Sequence, residues 1–156
     1  MENYMKLEIA ALSENESFAR SAVAAFALPL NPTLTELSDI KTAVSEAVTN
    51  GIVHAYPKKA EGNKIDVECR IEREEQGGVL HIKITDYGCG IEDVERATLP
   101  FFTTLPGEER SGMGFTIMQT FMTAFSLHSE RGKGTVVEMQ KRIPANVAEE
   151  KERVDA

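Results

Sequence analysis

Several absences bound this sequence before any motif is read. No apolar run among its 156 residues approaches the roughly 18 that a membrane span needs. The opening "MENYMKLEIAALSENESFAR" lacks a basic patch followed by an apolar stretch, so it is not a secretory signal. Basic residues are in deficit, with 17 Lys and Arg against 25 Asp and Glu and a formal net charge of −8. That balance argues against non-specific nucleic-acid binding, which needs a basic footprint, though not against a partner with a basic surface. Cysteine is scarce: Cys69 and Cys89 form no metal-ligand spacing, and with no sign of export they read as reduced thiols in a cytoplasm. No internal repeat or low-complexity block occurs. What remains is 42% hydrophobic and 27% charged, an ordinary globular composition at a length suited to one domain with a real core.

Along the chain, "YMKLEIAAL" alternates Met5, Leu7 and Ile9 on one face and reads as a strand. In "SENESFARSAVAAFALPL", Ser13 and Glu16 have capping-box spacing before an Ala-rich helix that must end near Pro29. A longer helix follows, with Thr33 or Thr35 as N-cap, Pro57 closing it, and a stripe of Leu37, Ile40, Val44, Ala47 and Val48. The period then changes to two in "NKIDVECRIE" and "GGVLHIKITD", joined by a polar hairpin connection. Residues 87–114 are irregular and rich in Gly, Pro and Thr, a length of loop that is usually functional. "FTIMQTFMTAF" predicts a helix burying Phe115, Met118, Phe121, Met122 and Phe125, and "SLHSERGKGTVVEMQKRI" predicts a final hairpin. The expectation is an α+β two-layer sandwich: a mixed, mainly antiparallel sheet covered by helices on one face. It comprises one domain over residues 1–143 and a polar tail from Pro144 onward.

Four clusters carry chemistry. In "SEAVTNGIVHAY", Glu46, Asn50 and His54 fall four apart, so one helix face can bring them together. The plain account is a solvated stripe, or a trio closed in local hydrogen bonds. The chemical one makes the carboxylate a general base and the amide oxygen a ligand for a hard cation such as Mg²⁺. "DYGCG", Asp86 to Gly90, ends a strand: either an Asp-initiated turn or a carboxylate that accepts from the exocyclic amine of a base. "RSGMGF", Arg110 to Phe115, opens a helix and exposes backbone N–H groups that suit phosphate, although it is neither a Walker loop nor Gly-x-Gly-x-x-Gly. "GKGT", Gly132 to Thr135, is by itself a hairpin turn.

Each signal is modest, but their order is specific. A Glu–Asn helix, a strand ending in Asp-x-Gly-x-Gly, a loop closing in Gly-x-Gly, then Gly-x-Gly-Thr resembles the ATP-binding (GHKL) fold shared by gyrase, Hsp90, histidine kinases and MutL. The segments "SENESFAR", "IKTAVSEAVTNGIVHAY" and "FFTTLPGEERSGMGFTIMQTFM" are similar to the anti-sigma F factors of endospore-forming bacteria, which are serine protein kinases, over nearly the whole chain.

The resemblance implies ATP or ADP as nucleotide, with Mg²⁺. It makes Glu46 the base for a serine hydroxyl and Asn50 the metal ligand. Asp86 would bind the adenine amine, Gly88 and Gly90 would shape the base pocket, and Thr135 would close its far side. Residues 103–115 would form a lid, with Thr104, Arg110, Gly112, Met113, Gly114 and Phe115 nearest the nucleotide. His54 would support the pair, Gly51 would cost its helix ~1 kcal/mol against alanine, and Cys89 would be a small filler.

The implied activity is sequestration of the sporulation sigma-F factor, with serine phosphorylation of its anti-anti-sigma antagonist. Nucleotide state would select the partner. A cytoplasmic homodimer is implied, with the first strand and helix as self-pairing surface, and neither nucleic acid nor membrane as a direct partner. Arg20 is a candidate partner contact, its plainer account being a solvated arginine. The alternatives are a general-stress anti-sigma kinase, whose family typically lacks "TTLPGEERSGMGF", and an anti-sigma module that holds ATP without transfer, against which Glu46 speaks. A detached sensor-kinase ATPase domain is the third. Against it, the chain is expected to stand alone, with no phospho-acceptor helix pair and with His54, His81 and His128 unsuitably placed.

Overall fold

Alternating apolar residues organise the second half of the chain, and the computed structural model shows what they build. It describes residues 1–98 and 114–145. Five strands, β1 (Asn3–Ala10), β2 (Lys64–Arg73), β3 (Gly78–Asp86), β4 (Ala124–Glu130) and β5 (Gly134–Ile143), form one sheet in the order β1-β2-β3-β5-β4. All four pairings are antiparallel. Register puts Ile65, Val67, Cys69 and Ile71 of β2 beside Ile84, Ile82 and Leu80 of β3, and these beside Val137 and Met139 of β5. This apolar face carries the core, and the alternate positions, such as Glu68, Lys83 and Glu138, form the face left uncovered among the described residues.

Helices α1 (Asn15–Ala27), α2 (Leu34–Asn50) and α4 (Gly114–Phe121) cover the apolar face, with α2 packed against both α1 and α4; a single turn, α3 (Val94–Ala97), precedes the undescribed residues 99–113. Ile40, Val44 and Val48 of α2 are fully buried in the same core cluster as Ile65, Val67 and Leu80. Each such side chain contributes about 1.5–3 kcal/mol relative to exposure. The expected α+β sandwich is therefore present.

Local details depart from the sequence reading. Thr33 is the N-cap of α2, in a complete capping box with Glu36. Ser13 does not cap α1, whose N-cap is Glu14, because the Glu16 carboxylate turns to Arg20 and Ser45. The last helix is shorter than its pattern: α4 stops at Phe121 and β4 begins at Ala124, so Phe125 is a strand residue. Phe125 still joins the core, its ring 6.0 Å from that of Phe115. Lys141 of β5 donates to the Phe121 carbonyl and pairs with Asp39 at 3.1 Å, which ends α4 and ties it to α2. The thiol of Cys69 is buried and pushed up to about 12, so it stays protonated as a core filler.

Candidate functional site

Helix α2 is held on the sheet by Ala43, Val44, Ala47 and Val48, which leaves Glu46 and Asn50 on its half-buried flank, one turn apart. The next turn widens into a π turn over Gly51–Ala55 that contains His54. His54 contacts the 87–91 loop through its carbonyl oxygen, which lies 3.4 Å from Cys89 Sγ.

Gly51 has a different reason from the one its helix propensity suggests. A Cβ there would stand 2.9 Å from Ile65 Cδ1 and 3.7 Å from Asp86 Cβ. The missing side chain lets the end of α2 settle onto the end of the sheet, which places Asn50 and Asp86 in one region. Asp86 closes β3 opposite Thr135 of β5, and both side chains are buried on the helix-covered face.

Burial pushes the Asp86 carboxyl up to about 6, against the lowering effect of the Gly88 and Thr135 backbone N–H groups. The Gly88 N–H bond, at 3.1 Å, is the Asp-initiated turn that the plain account of this segment anticipates. A carboxylate has about four lone-pair sites, so these bonds leave Asp86 able to accept more.

The loop after Asp86 is clamped from two sides. Cys89 N–H donates to the Ala55 carbonyl at 2.9 Å, and Gly132 N–H donates to the Cys89 carbonyl at 2.7 Å. Side chains at 88 or 90 would not fit: a Cβ would stand 2.2 Å from the Ala55 oxygen or from the Glu130 oxygen, and Gly90 also has φ +74°. Two tyrosines, not singled out from sequence, complete the clamp. Tyr56 Oη accepts the Tyr87 N–H at 2.8 Å and donates to the Lys64 carbonyl at 2.7 Å, while the Tyr87 hydroxyl donates to buried Asp66. Nothing in their local sequence separates them from core tyrosines, because the pairings span 8 to 31 residues.

The start of α4 meets α2. A Cβ on Gly114 would stand 3.1 Å from Glu46 Oε2 and 3.2 Å from Asn50 Nδ2. The structure thus brings Glu46 and Asn50 to Gly114, and Asp86 to Thr135 and the Gly88–Gly90 loop; Gly51, next to Asn50 in the chain, faces Asp86 and links the two groups. Phe115 packs into the core. Thr104, Arg110, Gly112 and Met113 lie outside the described residues, as does the tail beyond residue 145. Arg20 is not simply solvated, since its guanidinium donates to Glu16 at 3.1 Å and to Ser45 at 3.4 Å. A groove of about 630 Å³, lined by Lys6, Glu68, Arg70 and Lys83 among others, lies on the uncovered face, across the sheet from Glu46.

Chemically, the arrangement offers a carboxylate, a neutral amide oxygen and the first backbone groups of a helix at one point, with a buried acceptor nearby. Among the described residues no three His, Cys, Asp or Glu side chains form a metal cage. One amide oxygen beside one carboxylate suits a hard cation held chiefly by phosphate and water.

Residues 9–141 match the family described as histidine kinase-like ATPase domain. An anti-sigma F factor from Clostridium botulinum is 52% identical over 142 residues, covering 91% of this chain and 96% of that one. Another from Anoxybacillus flavithermus is 50% identical over 148 residues, covering 95% and 98%. Among solved structures, the RsbU and RsbW domains of a Mycobacterium tuberculosis protein superpose with a TM-score of 0.60 at 12% identity. That match covers 92% of this chain and 33% of the longer protein, and it shows a shared fold.

Proposed function

The chain belongs to the anti-sigma F factors, within the histidine kinase-like ATPase family, and from that premise we propose that it is an ATP-dependent serine kinase of its own antagonist. In this reading it binds the sporulation sigma-F factor and keeps it from transcription. It also phosphorylates the anti-anti-sigma protein that would free it. The observation that carries the reading is the approach of Gly114 to both Glu46 and Asn50, at a helix start where phosphate is favoured.

The residues divide the work. Asp86 accepts a hydrogen bond from the adenine amino group, Gly88 and Gly90 let the loop close on the base, and Thr135 bounds the pocket. Asn50 holds Mg²⁺, which neutralises charge on the phosphates when bound. Glu46 accepts the proton of the incoming serine hydroxyl as its oxygen bonds to the γ-phosphorus, while the bond from that phosphorus to the β–γ bridging oxygen breaks and ADP leaves. Phosphoryl transfer is mostly positioning and charge neutralisation, so a base and a metal ligand one helical turn apart are an economical solution. The segment containing Thr104, Arg110, Gly112 and Met113 would cover the phosphates, next to Gly114 and Phe115.

A cytoplasmic homodimer completes the proposal. Strand β1 is an edge of the sheet, with no strand paired to its outer side among the described residues, and among those residues no helix is long and apolar enough to cross a membrane. The test is incubation with γ-labelled ATP, Mg²⁺ and the anti-anti-sigma protein. Label appearing on a single serine of that protein supports the reading. ATP-dependent capture of sigma factor with no label transferred overturns the kinase half and leaves an ATP-holding anti-sigma module.

A further inference from the structure

Ser129 of β4 stands opposite Thr135 of β5, half-buried on the same face. Its hydroxyl oxygen accepts the Ile91 N–H at 2.7 Å, and it lies 3.0 Å from the Gly134 carbonyl and 2.8 Å from Thr135 Oγ1. A serine hydroxyl has one proton and two lone pairs. The Gly134 carbonyl can only accept, so it takes the Ser129 proton. The Ile91 N–H occupies one lone pair. The remaining contact is satisfied when Thr135 donates its own proton to the second. Thr135 Oγ1 is then left with lone pairs alone, beside the Asp86 carboxylate across the β3–β5 ladder.

We propose that Ser129 is a positioning residue that fixes base selectivity by committing the Thr135 hydroxyl to the acceptor role. Two acceptors at the end of the sheet favour a purine bearing a 6-amino group, directly or through a water that donates to Thr135, and disfavour a 6-oxo purine, which presents another acceptor. The same hydroxyl, through Ile91, anchors the 87–91 loop to the β4–β5 hairpin. The inference rests on the reading of Asp86 and Thr135 as the base pocket. It adds a residue that touches no ligand itself. Two backbone bonds, Cys89 N–H to Ala55 and Gly132 N–H to Cys89, still hold the loop when the serine hydroxyl is removed, so the consequence falls on selectivity more than on folding.

The experiment measures equilibrium binding of ATP, GTP and inorganic tripolyphosphate to the full chain and its Ser129→Ala, Ser129→Thr and Asp86→Asn variants. Ser129→Ala is expected to weaken ATP about tenfold, as loss of a buried hydrogen-bond partner does, with GTP and tripolyphosphate within about twofold. Ser129→Thr, which keeps the hydroxyl on a strand-favouring residue, restores the ATP-to-GTP ratio. If Ser129→Ala does not fold, Ser129→Cys, nearly equal in volume but a weak donor, is read in its place. A wild-type ratio in Ser129→Ala alongside a lost ratio in Asp86→Asn overturns the inference while leaving the pocket assignment intact. Equal weakening of all three ligands overturns it too, because the serine would then act on the whole site. An unchanged ratio in Asp86→Asn removes the pocket assignment itself, and the inference with it.

Discussion

Gly114 and Glu46 touch across the α2–α4 contact, with only 3.1 Å between Glu46 Oε2 and the place where a side chain on residue 114 would begin. That spacing is tight without being impossible, so a small side chain displaces the carboxylate by a few tenths of an ångström instead of unfolding the protein. Gly114→Ala is therefore expected to keep its thermal midpoint, helped by alanine's helix propensity. It should lose about tenfold or more in serine phosphorylation, or roughly 1.4 kcal/mol of transition-state stabilisation. Comparing single-turnover transfer rates with melting curves checks this. A variant with wild-type transfer would mean that Glu46 is not held by this contact for catalysis.

The adjacent pair separates by what each variant loses. Glu46→Gln preserves shape and one acceptor oxygen but removes the base, so transfer should fall by about 10²–10⁴-fold while ATP affinity stays within a few-fold. Asn50→Ala should instead weaken Mg²⁺-dependent nucleotide binding, with little change to binding measured in EDTA. Full transfer by the first variant, or an unchanged Mg²⁺ dependence in the second, removes the corresponding role.

Asp86 gives the site a pH dependence of definite sign. Burial holds its carboxyl at about 6 in the folded protein, above the 3.8 of a free aspartate. The ionised carboxylate accepts from an adenine amine more strongly than the protonated acid, so ATP affinity should fall as pH drops through 6, by up to about tenfold per unit below it. Folding stability moves the other way. Between 3.8 and 6 the folded chain keeps a proton that the unfolded chain has released, so this group favours the fold increasingly as pH falls through that window. Asp86→Asn should flatten both effects, and subtracting it corrects for the phosphates' own ionisation near pH 6. Equal ATP affinity at pH 5 and pH 7 in the wild type, after that subtraction, contradicts the assignment.

Legibility from sequence followed the range of the interactions. The strand pairs, a threonine N-cap at Thr33 or Thr35 and the Glu46–Asn50 spacing are local patterns; the strands and the spacing are present, and the cap is Thr33. The Ser13 box failed because Glu16 found Arg20 and Ser45, the latter 29 residues away, which a local rule cannot see. The final helix was overextended because Phe125 is apolar and in phase with either period, and burial in a strand satisfies it equally. Ser129, Tyr56 and Tyr87 gain their meaning from partners on other elements, so no spacing announces them. Gly51 was legible as a cost but not as a requirement, since its reason lies in Ile65 and Asp86.

That distinction is measurable. Helix propensity alone says Gly51→Ala should stabilise the protein by ~1 kcal/mol. The structure puts the new methyl 2.9 Å from Ile65 Cδ1, and Ile65 is fully buried between β1 and β3, with little room to yield. Overpacking of this kind costs about 1–3 kcal/mol, so the steric term equals or exceeds the gain in propensity. Gly51→Ala should therefore melt at or below the wild-type temperature. It should also bind ATP more weakly, because the end of α2 is pushed away from Asp86. Ile65→Val removes the clashing methyl and by itself costs about 0.5–1.5 kcal/mol. Combined with Gly51→Ala it should cost less than the sum of the two, with a favourable coupling of about 1 kcal/mol in a double-mutant cycle. Additive costs, or a Gly51→Ala variant about 1 kcal/mol more stable than wild type, would show that the glycine is an ordinary helix residue and that the close seating of α2 on the sheet is not what places Asn50 beside Asp86.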